Sequence, residues 1–270
     1  MKETRTITSR RDKLLELILS LRDKDECRKL GLCWAEGAIA ADYALKLKKG
    51  AVKSVVLSME ATDKAREAAE KLAKTGVPLY LLAPSCFDKI TVLKNPEGLG
   101  IVAEPGQTLS ADEFPKKGPA ACLWQLMDPG NLGTIIRSAA SFGCEHFILV
   151  SPCVTHFHPL AIRASAGAAL DSKFLYLSEK EALEKLKSEG ERVCALSMEG
   201  ICLNLNLCYN NPEDMIVVSG NEPHGLPIEV RKTLPLYSVP ATGKVESLNV
   251  TAASAIAYYF FWSRQLLNQS

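Results

Sequence analysis

Three short stretches carry the residue types that hold anions and polarise hydroxyls. Each falls where an apolar run gives way to a loop. The first reads Leu126-Met-Asp-Pro-Gly-Asn131-Leu-Gly133-Thr-Ile-Ile-Arg137. Asp128-Pro129-Gly130 breaks a strand and a helix starts near Asn131, with Arg137 one turn beyond Gly133, able to point at an anion held near the helix start. The second reads Ile216-Val-Val-Ser-Gly220-Asn-Glu222-Pro-His-Gly225-Leu. Gly220 suits contact with a flat ligand, Gly225 suits a positive φ, and Glu222 either pairs with Arg137 or holds an amide. The third runs from Tyr237-Ser-Val239-Pro240 through Gly243 to Ser247-Leu248-Asn249-Val250. There Ser247 reads as the cap of a final helix, and Asn249 as a first-turn amide with something to bind. Taken singly, each stretch also fits an ordinary helix entry or tight turn.

The elements that must position these residues alternate. In the front half the pattern gives a helix over 10–22 capped by Ser9, with Leu14, Leu17, Ile18 and Leu21 on one face. An Ala-rich helix follows Glu36-Gly37 and runs to about Lys49. Strands are expected at Val52 to Leu57, Val77 to Leu82 and Gly100 to Ala103, with an amphipathic helix over 62–74 closed by Gly76. Residues 105–119, rich in Pro, Gly and charge, read as a connection between a domain at 1–104 and another at 120–270. The second half restarts with strands at Ala120 to Leu126, Phe147 to Val150, Val193 to Leu196, Met215 to Ser219 and Leu236 to Val239. Helices are expected over Thr134 to Phe142, Pro159 to Ala169, 179–188 and 247–266. Near-continuous apolar strands point to a parallel sheet covered on both faces, in an α/β fold. In such sheets ligands bind beyond the strands' carboxyl ends, where the three stretches lie.

Composition narrows the class. No apolar run approaches the roughly 20 residues that span a bilayer, and the first ten residues lack a signal peptide's apolar core, so a cytoplasmic protein is expected. Net charge is only +1, yet residues 1–105 carry 19 basic against 15 acidic side chains, which favours phosphate contacts in the front half. The nine cysteines form no CxxC pair and are expected to be reduced. Cys153, His156 and His158 lie close in sequence, but no further ligand is placed beside them, so no metal is expected. A nicotinamide enzyme would need GxGxxG after an early strand, and none is present.

Together, Asn131-x-Gly133-x-x-x-Arg137, Gly220-x-Glu222-x-x-Gly225-Leu226 and Pro240 through Ser247-Leu248-Asn249-Val250 closely resemble the three ordered motifs of the SpoU (TrmH-like) branch of the SPOUT RNA methyltransferases. Arg163-Ala-Ser-Ala-Gly167-Ala is similar to a further family segment. The motifs span 126–250, while residues 1–104 more loosely resemble a ribosomal-protein-like α/β domain that binds substrate RNA. The resemblance implies a trefoil knot in the C-terminal parallel sheet, a homodimer sharing its active sites, and S-adenosylmethionine as methyl donor. It implies transfer to a ribose 2′-hydroxyl, expected in ribosomal RNA, with tRNA, or RNA binding without catalysis, as the alternatives. It assigns Arg137, Asn131, Glu222, Ser247 and Asn249 to catalysis and Gly220, Val239 and Leu248 to the donor. Pro223-His224 departs from the family's more usual glycine and polar residue, and stiffens that loop.

Overall fold

The computed structural model describes residues 4–203, 211–221, 224–244 and 246–268. The chain forms two compact units, one of residues 1–106 with 155–171, the other of 107–154 with 172–270.

The first unit is built on a five-stranded sheet of β1 (Arg5–Ile7), β2 (Cys33–Glu36), β3 (Val52–Ser58), β4 (Leu79–Leu82) and β5 (Leu99–Ala103), in the order β1-β4-β3-β5-β2. β1, β4 and β3 are parallel, and β5 runs antiparallel to both β3 and β2. Its helices are α1 (Lys13–Ser20), α2 (Lys24–Leu30), α3 (Ala38–Ala44), α4 (Asp63–Lys74) and α5 (Pro84–Ile90). The single helix expected over 10–22 is therefore shorter and is followed by a second. Asp12, not Ser9, caps α1 by accepting from Leu14 N at 2.9 Å, and the buried face is Leu15, Ile18 and Leu21. Asp23 then caps α2, and Gly31 at φ 63 ends it. Ser9 Oγ instead accepts from Arg11 N at 3.3 Å, in the turn ahead of the helix, so position leaves the cap to Asp12.

Glu36 is buried and fully partnered: it accepts from Trp34 Nε1 at 2.7 Å, Thr91 Oγ1 at 2.6 Å and Val92 N at 2.8 Å. Three donors compensate the loss of water around the carboxylate. The Glu36-Gly37 pair is thus a brace for the 91–97 loop, and Gly37 enters α3 at φ 102.

Residues 155–171 also pack in this unit. They comprise α7 (Pro159–Ala164), which packs on β2, and a short 3₁₀ turn at Ala168–Leu170. One helix was expected from Pro159 to Ala169, but positive φ at Ala166 and Gly167 divides it. A Cβ on Gly167 would overlap Tyr43 of α3. His156 is buried, with Nε2 3.1 Å from the Gly106 carbonyl. Burial holds its imidazole at about 3, so it stays neutral. His158 accepts from Leu160 N as the cap of α7.

The second unit carries a seven-stranded sheet in which every pairing is parallel. Its strands are β6 (Gln107–Thr108), β7 (Ala120–Trp124), β8 (His146–Val150), β9 (Lys173–Leu177), β10 (Val193–Cys202), β11 (Ile216–Ser219) and β12 (Leu236–Ser238), ordered β12-β10-β11-β7-β8-β9-β6. Two of them, β6 and β9, were not expected. β6 lies within the stretch read as a connection, which also buries Leu109 and Phe114. A two-residue strand has no pattern of its own and exists here only by pairing with Lys173 and Phe174.

Helices α8 (Glu179–Glu189) and α9 (Ile228–Thr233) supply Leu183, Leu186 and Val230 to a cluster with Cys122, Trp124, Ile148 and Val218. Helices α6 (Pro129–Ser141) and α10 (Val250–Asn268) pack on one another, and α10 also packs on β11. Successive strand residues point to opposite faces, so runs such as Ala120 to Trp124 are buried throughout only when both faces are covered. No helix among the described residues is long and apolar enough to cross a membrane.

Candidate active site

Because β7, β11 and β12 are parallel members of one sheet, the loops that follow them open on the same edge. β7 and β11 are neighbours, and β10 separates β11 from β12. At about 4.8 Å per strand the three loops span about 14 Å, the scale of one nucleoside with its substituents.

The β7 loop leads into α6. Asp128 caps the helix, accepting from Asn131 N at 2.7 Å, and Pro129 occupies the first helical position, where a missing N–H costs nothing. Asn131 is half-buried and Gly133 buried beneath it. Arg137 is exposed, on the face that also exposes Thr134 and Ser141. Its carbonyl accepts from Ser141 Oγ, and its guanidinium has no hydrogen bond or ion pair among the described residues. Gln125, just before this loop, sits at φ 56, the left-handed region that non-glycine residues enter rarely.

The β11 loop is closed on itself. Gly225 N donates to Asn221 O at 2.9 Å, and His224 N donates to Asn221 Oδ1 at 3.0 Å. Gly225 takes φ 63, as the sequence required. A Cβ on Gly220 would overlap the Gly225 carbonyl and the Leu226 nitrogen, so the turn forms only with glycine at 220. Leu226 is buried beneath it. Glu222 and Pro223 lie outside the described residues.

The β12 loop carries Val239, half-buried, and Gly243 at φ 74, then reaches Ser247 and Leu248, both exposed. The cap of α10 is Asn249 rather than Ser247. Asn249 Oδ1 accepts from Thr251 N at 2.8 Å and from Thr251 Oγ1 at 2.5 Å, and Asn249 O accepts from Ala253 N. The amide read as lying within the first turn therefore sets where the helix starts. A hydroxyl chain that the sequence did not signal lies behind both loops: Ser219 Oγ is 2.7 Å from Ser254 Oγ, which is 2.6 Å from Val250 O.

The structure thus brings Asn131, Gly220, Val239, Ser247, Leu248 and Asn249 to one edge of one unit, with Arg137 about two turns into α6. Among the described residues no group of three or more His, Cys, Asp or Glu side chains is arranged to hold a metal ion. Cys153, once a suggested ligand, has its thiol pushed up to about 12 by burial.

An uncharacterized tRNA/rRNA methyltransferase of Synechocystis is 30% identical over 261 residues, covering 94% of this chain and 92% of that protein. The 23S rRNA (guanosine(2553)-2′-O)-methyltransferase RlmP of Bacillus subtilis is 26% identical over 88% of this chain and 92% of its own length. The crystal structure of an AdoMet-bound rRNA methyltransferase from Sinorhizobium meliloti superposes with a TM-score of 0.79 at 25% identity, covering 97% of this chain and 98% of that one. Residues 120–259, which hold all three motif loops, match the SpoU rRNA methylase family. The chain belongs to the SpoU rRNA methylase family.

Proposed function

We propose that this chain transfers a methyl group from S-adenosylmethionine to a ribose 2′-hydroxyl of ribosomal RNA. The observation that carries the reading is the convergence of the three motif loops on one edge of a wholly parallel sheet. The residues there suit the donor. Gly220 presents backbone because a side chain there has no room, and Val239 and Leu248 offer apolar contact. The donor, when bound, supplies an electrophilic methyl on a sulfonium that leaves readily.

The protein's part is to place and polarise the hydroxyl. Arg137 is the group for this, as a cation and not as a base: its planar guanidinium offers N–H donors in a fixed fork and no acceptor for a proton. It holds the target phosphate and stabilises negative charge developing on the 2′-oxygen, while the proton leaves to a phosphate oxygen or water. Asn131 and Ser247 orient the ribose, Glu222 orients Arg137, and Asn249 acts through the start of α10.

Arg137 is exposed in the single chain, whereas charge stabilisation is strongest where water is excluded. A homodimer completes the site on this reading. α10 exposes Ile256, Tyr259, Trp262, Leu266 and Leu267 at helical spacing, a stripe suited to a second copy. The basic excess of residues 1–105 assigns the first unit to gripping RNA through phosphates. The knot implied by the motifs belongs to the same reading.

The test is methyl transfer from labelled S-adenosylmethionine to ribosomal RNA, with 2′-O-methyl positions mapped in cells with and without the gene. A lost ribosomal position supports the reading. A lost tRNA position redirects it, and an unchanged map overturns it.

A further inference from the structure

Ser219 and Ser254 are both fully buried, 35 residues apart in sequence, with their hydroxyls 2.7 Å apart. Ser254 Oγ is also 2.6 Å from the carbonyl of Val250. A serine hydroxyl has one proton. The carbonyl can only accept, so Ser254 donates to Val250 O and Ser219 donates to Ser254. The chain therefore runs in one direction, from Ser219 to Ser254 to the first residue of α10. Each end abuts a motif. Ser219 precedes Gly220, whose turn is closed on itself, and Val250 follows Asn249, the cap of α10.

Packing alone would leave α10 free to shift on β11, since apolar contacts are not directional. A hydrogen bond between a central strand and the first turns of the helix fixes both its rotation and its height. β11 is flanked by β10 and β7, so it is a rigid reference.

We infer that Ser219 and Ser254 are positioning residues that lock Gly220, at the end of β11, to the Ser247–Asn249 helix start, setting the gap in which the methyl donor is held. This rests on the proposed donor site and adds residues outside the three motifs.

The lock separates affinity from stability in a way that simple packing does not. Ser254→Ala leaves the Ser219 hydroxyl buried without its acceptor, which is destabilising. Ser219→Ala leaves Ser254 satisfied by Val250, so stability changes little. The double variant removes both hydroxyls and regains most of the stability lost in Ser254→Ala. Donor affinity follows the bond itself, so all three variants weaken it by a similar factor, roughly 5- to 10-fold for one neutral hydrogen bond.

The experiment is calorimetric titration of the full-length protein and each variant with S-adenosylmethionine, beside thermal melting, at a temperature well below every transition. Similar losses of affinity with unequal melting temperatures are expected. If Ser254→Ala does not fold, Ser219→Ala and the double variant carry the comparison. Wild-type affinity in the double variant overturns the lock while leaving the methyltransferase reading intact. No binding by the unaltered protein overturns both.

Discussion

Arg137 is the residue on which the proposed chemistry turns. It stands one helical turn beyond Gly133, exposed and without a carboxylate among the described residues. A cation with no partner among the described residues is available to a phosphate or a nascent alkoxide. Arg137→Ala should lower single-turnover methyl transfer by roughly 100-fold or more, the scale of losing one preorganised donor. Donor affinity should stay within a few-fold, because the proposed donor contacts lie on the other two loops. Arg137→Lys should recover little, since an ammonium does not reproduce the bidentate fork. Transfer by Arg137→Ala at the wild-type rate would remove Arg137 from the mechanism. At the same scale, Asp12, Asp128 and Asn249 each end a loop by accepting helix N–H groups, and the last two place motif residues.

Among the elements, the turn after β11 leaves no room for a side chain at Gly220. Its closure depends on Gly220 lying against the Gly225–Leu226 peptide and on Gly225 at φ 63. Gly220→Ala inserts one carbon where backbone already stands. The strand below is held on both sides, so the turn and not the sheet should give way. Overpacking on that scale costs about 1–3 kcal/mol, which corresponds to roughly 5- to 150-fold in donor affinity. Far-ultraviolet circular dichroism should remain that of the parent while calorimetry shows the weakened binding. An unchanged dissociation constant would mean that the donor does not use this turn.

For the whole molecule, the division into units has a consequence for dissection. A cut near residue 106 looks natural from the composition of 105–119, yet residues 155–171 pack with the first unit. There Phe157 and Ile162 are buried, and Arg28 lies over the Phe157 ring at 5.9 Å. A fragment of residues 107–270 would release that apolar surface, at about 1.5–3 kcal/mol for each large side chain exposed. It should melt at a lower temperature than the full chain and bind an apolar dye. Equal melting and no dye binding would show that the segment needs no partner. The α10 stripe makes a second claim at this scale. Light scattering at micromolar concentration should give twice the mass of one chain, and an active monomer would remove the homodimer from the proposal.

Much of the candidate site was legible in the residues themselves. Asn131, Gly133 and Arg137, then Gly220 and Gly225, then Ser247 to Asn249 mark the candidate site because the three stretches occur together and in order, although each alone also fits a helix entry or a tight turn. The long apolar strands were legible too, as was α4 from Asp63 to Lys74, since period and punctuation are local signals. What stayed hidden depends on partners distant in the chain. β6 exists only against β9, and β1 only against β4. The cap of α10 fell to Asn249 and that of α1 to Asp12, because competing acceptors are separated by geometry and not by residue type. Residues 155–171 joined the first unit through contacts with Tyr43 and β2, which composition does not record. The sequence by itself determined which groups are present and that each follows a strand. The parallel sheet was expected from the apolar strands, but only the tertiary structure decided their order in it, with β11 beside β7 and β10 between β11 and β12, and so how far apart the three loops stand. It alone placed Ser219 against Ser254, because a hydrogen bond between groups 35 residues apart is a property of the packed chain.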